Sequence, residues 1–371
     1  MAKRVLITGG AGFVGSHTAD ALLKAGHEVR IIDNLTPQVH HGKEPYIPDG
    51  AEFVFGDVRD PSKLSSVVRD ADVVYHFAAA VGVGQSMYQI SEYTATNNLG
   101  TANLLQAILD TRATPEKIVV ASSMSIYGEG NYLCRECGEM APQPRPLEQL
   151  KSKNWETLCP TCGESLMPVP TREDKQLQCT SIYALSKKDQ EEMALLFGRT
   201  YQIPVVALRY FNIYGTRQSL SNPYTGVCAI FASRLMNRKS PVIFEDGQQM
   251  RDFVSVHDIV QANLLAMDSS AADGTALNIG SGDPVTIRQV AAALSQALSA
   301  QVPVEITGKY RAGDVRHCFA DITRASQFLG YRPRMTLQQC VEELVAWLES
   351  QQAKDSVDQA MQQLSVHGLV A

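Results

Sequence analysis

In the stretch SIYALSKKDQEEMALLF, Tyr183 and Lys187 stand four residues apart, a spacing that brings two side chains to one face of a helix. A phenol with its ordinary pKa near 10 is a poor base at neutral pH. A neighbouring ammonium favours the phenolate, and such a pair can take a proton from a hydroxyl. Ser123 closes the apolar run of EKIVVASSMSIYG, where its hydroxyl could hydrogen-bond the reacting oxygen. A second set of residues points to other chemistry. NYLCRECGEM and LCPTCGESLM carry Cys134, Cys137, Cys159 and Cys162 as two CxxC pairs, 21 residues apart (138–158), close to the spacing of four-thiolate zinc sites.

Four thiolates suit tetrahedral zinc and leave no position open for water, so this site is expected to be structural. Iron fits the same ligands, and disulfides or a redox pair are the other readings. Gly138 and Gly163 follow the two knuckles, as a tight turn offering N–H groups to sulfur would require. The intervening APQPRPLEQLKSKNWETL is too polar to form a core unaided, so metal binding is expected to fold this piece.

A YxxxK spacing alone is common on helix surfaces, and its weight comes from the elements around it. RVLITGGAGFVGSHTADALLKAGHEVRIIDNL reads as a strand, a glycine turn, an amphipathic helix ended by Gly26, and a second strand. Gly9, Gly12 and Gly15 permit the turn, close approach of backbone to a pyrophosphate and close helix–strand packing; the helix N-terminus then faces the phosphates. Asp33 ends the second strand about 20 residues on, where a carboxylate accepts the adenine-ribose hydroxyls and repels a 2′-phosphate. NAD is therefore expected rather than NADP, and its positive nicotinamide would further favour a Tyr183 phenolate. Strands and helices go on alternating: AEFVFGDVRD ends a strand at Asp57, ADVVYHFAAA at Ala78, and EKIVVASS at Ser123. The expected fold is α/β, a doubly wound parallel sheet whose ligands sit at the carboxyl ends of the strands.

The chain has 371 residues, 44% of them hydrophobic and 19% charged, with a net charge of −6. That composition suits a globular protein and lacks the basic footprint of a nucleic-acid binder. No apolar run reaches membrane-spanning length, and the first residues show no signal-peptide pattern. A cytoplasmic protein with reduced thiols is expected. Cys179, Cys228, Cys318 and Cys340 read as small buried hydrophobes or free thiols.

TGGAGFVG, HFAAA, ASSMSIYG, YALSK, LRYFNIYG and MRDFVSVHD follow one another as in the extended short-chain dehydrogenase/reductases, and the chain most resembles their NAD-dependent nucleotide-sugar epimerases over roughly residues 3–350. The resemblance implies a homodimer and a nucleotide-diphosphate sugar as substrate. It implies Ser123, Tyr183 and Lys187 as catalytic residues, Lys187 also bonding the nicotinamide ribose. For the cofactor it implies Gly9, Gly12, Phe13, Val14, Gly15, Asp33, Asn34, Asp57, Val58, Ala78, Ala79 and Asn98. For the substrate it implies Ser125, Asn212, Arg251, Arg311 and Asp314, the arginines matching the forked geometry of phosphate contacts. Related 4,6-dehydratases carry an Asp-Glu pair where this chain has Met124 and Ser125; neither can do that acid–base work, so dehydration is disfavoured. AAAVGVGQSMY, SNPYTGVCAIFASRL, FEDGQQMRDFVSVHD and KYRAGDVRHCFADI are similar to the dTDP-L-rhamnose 4-epimerases. The alternatives are a UDP-glucose- or UDP-glucuronate-type 4-epimerase, a reductase or dehydratase, and an NAD-bound binding protein without turnover.

The expected organisation follows: a cofactor-binding Rossmann domain over 1–133 and 164–211, a zinc-ribbon-like insertion at 134–163, a smaller α/β substrate domain over 212–350 interleaved with the sheet, and a tail at 351–371 that is expected to be mobile. His257 and His317 read as surface or structural.

Overall fold

Alternating residues of the first strand, β1 (Arg4–Thr8), enter two different cores. Val5 and Ile7 pack with Leu22, Tyr75, Ile259 and Ala262; Leu6 packs with Val74, Leu104, Ile108 and Ala194. A strand buried on both faces is what a parallel sheet between two helix layers demands, and it explains why RVLIT is almost continuously apolar. The computed structural model describes residues 1–40, 44–311 and 313–370.

The main sheet is seven-stranded. With β2 (Glu28–Asp33), β3 (Glu52–Phe55), β4 (Val73–His76) and β5 (Lys117–Ser123), the spatial order is Thr275–Ile279, Val205–Tyr210, β5, β4, β1, β2, β3, and every neighbouring pair is parallel. From β1 the chain first winds outward through β2 and β3, then reverses through β4 and β5. The reversal opens a crevice at the carboxyl ends of β1 and β4, the place where such sheets take ligands. Thr275–Ile279, from the segment assigned to the substrate domain, supplies the outer strand and interleaves the two parts. Among the described residues, no helix is long and apolar enough to cross a membrane.

Two smaller sheets flank this frame. Asn212–Tyr214 runs parallel to Met250–Ser255, whose first residues pair with Pro284–Thr286 on one edge and His317–Cys318 on the other. Gly138–Met140, Asn131–Cys134 and Met167–Val169 form a three-stranded antiparallel sheet, which extends the insertion past 134–163 at both ends. The terminal segment also departs from the sequence reading. Val357–Val366 is a docked helix, not a loose tail. Asp358 pairs with Arg234 at 2.7 Å and Lys239 at 2.9 Å, Leu364 is buried against Gly84, and His367 stacks on Tyr88 at 4.6 Å. These partners lie more than a hundred residues away in sequence, so local periodicity could not show them.

Candidate active site

The first helix, Phe13–Lys24, begins at Gly12 with no side-chain cap, which leaves its first N–H groups directed out of the turn. Gly9 and Gly15 are there because nothing larger fits. A Cβ on Gly15 would lie 2.4 Å from the Gly9 carbonyl oxygen, and one on Gly9, at φ +70°, would lie 2.7 Å from the Ala78 nitrogen. Backbone therefore meets backbone around an open cradle at a helix N-terminus, which fits a pyrophosphate. Asp33 closes the next strand end. Its carboxylate accepts the N–H groups of Ala11 (3.1 Å) and Leu35 (2.9 Å), and burial raises its pKa.

One cavity of about 560 Å³ runs from this cradle past the end of β5. Fifteen of the residues named from sequence line it: Gly9, Gly12, Phe13, Val14, Gly15, Asp33, Asn34, Val58, Ala78, Ala79, Ser123, Ser125, Tyr183, Lys187 and Asn212. The glycine cradle and the side chains of Ser123, Tyr183 and Lys187 thus share a single chamber. Asp57 stands just behind the lining. It holds Asn34 at 2.8 Å and forks onto Arg59, which draws its pKa down to about 2.

Tyr183 and Lys187 sit on the helix Ile182–Tyr201, whose first turn is capped by the Ser181 hydroxyl accepting from the Ala184 N–H at 3.0 Å. Both side chains are almost wholly buried. Lys187 Nζ donates to the Ala121 carbonyl at 2.9 Å, tying the helix to β5. Burial pushes Lys187 down to about 7. Burial raises the Tyr183 phenol, and the hydrogen bond with Ser123 works against that rise. Ser123 Oγ accepts from the N–H and hydroxyl of Ser125, at 3.2 and 2.9 Å. Beside the Lys187 ammonium and the nicotinamide expected to favour the phenolate, the chain itself thus offers Ser123 as a favourable contact. Met124 and Ser125 line the cavity beside Ser123, and among the described residues the lining carboxylates are Asp33 and Glu92. Glu92 is paired with Arg59 at 3.0 Å, so no acid pair stands next to Ser123 among the described residues.

Besides Asp57, four expected residues lie off the cavity. Asn98 bonds Asp189 at 2.6 Å on the outer side of the helix Ile182–Tyr201. The residue facing inward is Asn97, fully buried, which accepts from Ala80 N–H (2.8 Å) and donates to the Ala80 carbonyl (3.1 Å) and Ser186 hydroxyl (2.8 Å). The cause is a π-helical turn over Thr94–Leu99; its extra residue alters which asparagine faces the sheet. Arg251 donates to the carbonyls of Met250, Arg316 and Val315, while Arg311 forks onto Asp314 at 2.7 and 3.0 Å and covers the Phe244 ring. The structure brings these three together away from the lining of the chamber. Gln38, which the sequence reading did not name, joins its amide across the cavity to those of Gln85 and Asn222 at 2.9 and 3.2 Å. Gln85 and Asn222 lie in the stretches 81–88 and 222–231 expected to shape the sugar and base pockets, whereas polarity is the sequence signal of Gln38.

The four knuckle thiols also converge. Their sulfurs all lie within 4.8 Å of one another, near the roughly 3.8 Å edge of a tetrahedron with 2.3 Å zinc–sulfur bonds. Gly138 and Gly163 take φ +85° and +79°, the left-handed turns that let backbone N–H groups face sulfur. N–H groups of Cys162 and Thr161 pull the Cys159 thiol down to about 6. None of the residues 129–172 lines the chamber, so the insertion does not cap it.

Residues 5–149 match the model of the NAD dependent epimerase/dehydratase family, and residues 163–344 that described as GDP-mannose 4,6 dehydratase. The gap between them holds Cys159 and Cys162. A dTDP-L-rhamnose 4-epimerase of Burkholderia thailandensis is 31% identical over 354 residues, 93% of this chain and 95% of its own. Among solved structures, UDP-N-acetylglucosamine 4-epimerase from Methanobrevibacter ruminantium M1, in complex with UDP-N-acetylmuramic acid, superposes with a TM-score of 0.77 at 29% identity, covering 95% of this chain and 99% of that one. UDP-glucose 4-epimerase of Thermus thermophilus, in complex with NAD, gives a TM-score of 0.73 at 29% identity, covering 94% and 99%. With a glycine cradle, a buried Ser–Tyr–Lys set in the same chamber and this likeness along nearly its whole length, the chain belongs to the NAD-dependent epimerase/dehydratase family, among its nucleotide-sugar epimerases.

Proposed function

We propose that this protein is an NAD-dependent nucleotide-sugar 4-epimerase whose substrate pair is dTDP-L-rhamnose and dTDP-6-deoxy-L-talose. The observation that carries the reaction is the single chamber holding both the cradle and Ser123, Tyr183 and Lys187. The cradle, Asp33 and Lys187 would hold NAD, which when bound supplies hydride acceptance and return. Tyr183 takes the proton from the sugar O4 as hydride leaves C4. Ser123 holds that oxygen, and Lys187 stabilises the phenolate. The 4-keto sugar turns over in the chamber, hydride returns to its other face, and Tyr183 gives the proton back. No net redox results, so the cofactor need not leave.

The sugar identity is supported by the Burkholderia relative and by the lining. Besides Lys187, the acidic and basic side chains lining it among the described residues are Asp33, His40, Glu92 and Arg217. His40 lies 3.9 Å from Asp33, Glu92 pairs with Arg59 and Arg217 with Asp20. Val81, Met124, Phe211 and Cys228 make up apolar wall elsewhere, which suits a neutral 6-deoxy sugar. A UDP-sugar 4-epimerase is the second reading, favoured by the names of the two solved relatives. NMR and mass analysis of products from a panel of dTDP-, UDP- and GDP-sugars decides between them. Interconversion of the dTDP-6-deoxy sugars is expected, turnover of UDP-sugars alone would overturn the assignment, and steady NADH consumption would mark a reductase.

The four cysteines are read as a structural zinc site closing the insertion, supported by their sulfur spacing. A homodimer through the helices Gly100–Thr111 and Ile182–Tyr201 is supported by exposed Leu185 and Leu196, eleven residues apart and so on one face. A cytoplasmic setting accords with free thiols throughout the described residues.

A further inference from the structure

The insertion is docked onto the body by buried charge. The Glu129 carboxylate accepts the backbone N–H groups of Arg316 (2.8 Å) and His317 (3.3 Å) and the Tyr132 hydroxyl (2.8 Å). Glu156, three residues before Cys159, bonds both Arg316 and, at 3.1 Å, His317. Arg316 has no exposed surface, and its guanidinium also reaches Glu245 (3.0 Å) and Asp246 (2.7 Å). From the loop between the knuckles, Arg145 forks onto Glu245 at 2.8 and 3.0 Å and donates to the carbonyls of Trp155 and Asp314. The insertion therefore grips one segment of the substrate domain, residues 314–317, from several sides.

That segment leads by hydrogen-bonded strands to the chamber. His317–Cys318 pairs with Met250–Ser255 in the register Met250↔His317. The same strand pairs with Asn212–Tyr214 in the register Asn212↔Phe253. Asn212, Ile213 and Phe253 line the chamber. The glycine cradle and β1 stand on the other sheet, outside this path. A chain of packed strands is a physical route for positional coupling; the charge-assisted bonds of Arg145 and Arg316 to Glu245 are buried, and that of Arg316 to Glu156 is 42% exposed on the glutamate side.

We propose that the metal-loaded cysteine clip positions the sugar-side wall through Glu156 and Arg316, so that its loading sets nucleotide-sugar affinity and leaves cofactor binding unchanged. This rests on the reading of the four cysteines as a metal site, and Arg316 is a positioning residue, not a catalytic one. The test uses the full-length holoenzyme and reads metal content, bound NAD per chain, and kcat and KM separately. Cys137→Ser with Cys162→Ser removes the two exposed ligands. That variant is expected to lose the metal and raise KM about tenfold, with kcat within about threefold and NAD content unchanged. Glu156→Gln cuts the charge link while sparing all four thiols, and is expected to keep the metal and raise KM several-fold.

A parent-like KM in both variants would overturn the positioning role. Loss of bound NAD in step with KM would overturn it too, since a general loss of fold moves both. A parent protein without metal would overturn the metal reading; the Glu156→Gln KM then decides the ionic coupling by itself.

Discussion

Replacing Asn97 by Ala should damage this protein far more than replacing Asn98, although the two are adjacent and identical in type. Asn97 is fully buried and makes three hydrogen bonds, two to the Ala80 backbone and one to Ser186. Truncation removes all three and leaves buried donors and acceptors behind. At about 1 kcal/mol per net bond, and more for each orphaned group, the loss comes to about 3–5 kcal/mol. Ala80 borders the chamber and can recover one bond from water, so the lower end, about 3 kcal/mol, is expected. Asn98 loses one partly buried bond to Asp189, worth about 1 kcal/mol or less in that setting. Urea unfolding of the NAD-free proteins gives both differences, and cofactor titration shows whether the Ala80 wall has shifted. A neutral Asn97→Ala, or an Asn98→Ala that loses cofactor while Asn97→Ala keeps it, would refute the reasoning.

Other expectations follow from the same contacts. The folded-state pKa of Lys187 is about 7 against 10.5 in the open chain, so between these values the unfolded chain binds the extra proton. Stability from this group therefore rises with pH across that window, and the burial cost is complete below pH 7. From pH 7 to 9, NAD-free parent protein should gain roughly 2 kcal/mol relative to Lys187→Met, and parallel stability curves would contradict the burial argument. Leu364→Ala should release the terminal helix from Gly84, seen as faster proteolysis within 352–370 without change in melting of the main sheet; protection equal to the parent would count against that docking. Tyr183→Phe should retain bound NAD and lose at least about a hundredfold in kcat, the scale of general acid–base catalysis, whereas near-normal turnover would remove Tyr183 from the proton-transfer role.

The sequence is most legible where local geometry leaves few choices. Gly9, Gly12 and Gly15 stand out because a strand, a tight turn and a helix start follow in order, and the structure leaves no room for a Cβ at Gly9 or Gly15. Tyr183 and Lys187 stand out because helical spacing is regular. Asn98 misleads because a π-turn interrupts that regularity, and nothing in TATNNL announces the extra residue. The family resemblance points Arg251 at phosphate, yet its guanidinium meets carbonyls 64 and 65 residues further along. The docked end of the chain and the amide cluster of Gln38, Gln85 and Asn222 depend on contacts between distant segments in the same way. For the insertion, the cysteine spacing indicates that the thiols meet, but its seat on Arg316 depends on how distant segments pack.

The central claim is that hydride leaves C4 of a nucleotide sugar and returns to the same carbon, with Tyr183 moving the proton. It is tested most directly with dTDP-L-rhamnose carrying deuterium at C4, followed by NMR of the equilibrated products. The account predicts that both epimers keep the deuterium at C4, with no exchange into water and no accumulating NADH. Deuterium lost to solvent, or transferred stoichiometrically to released NADH, would contradict it.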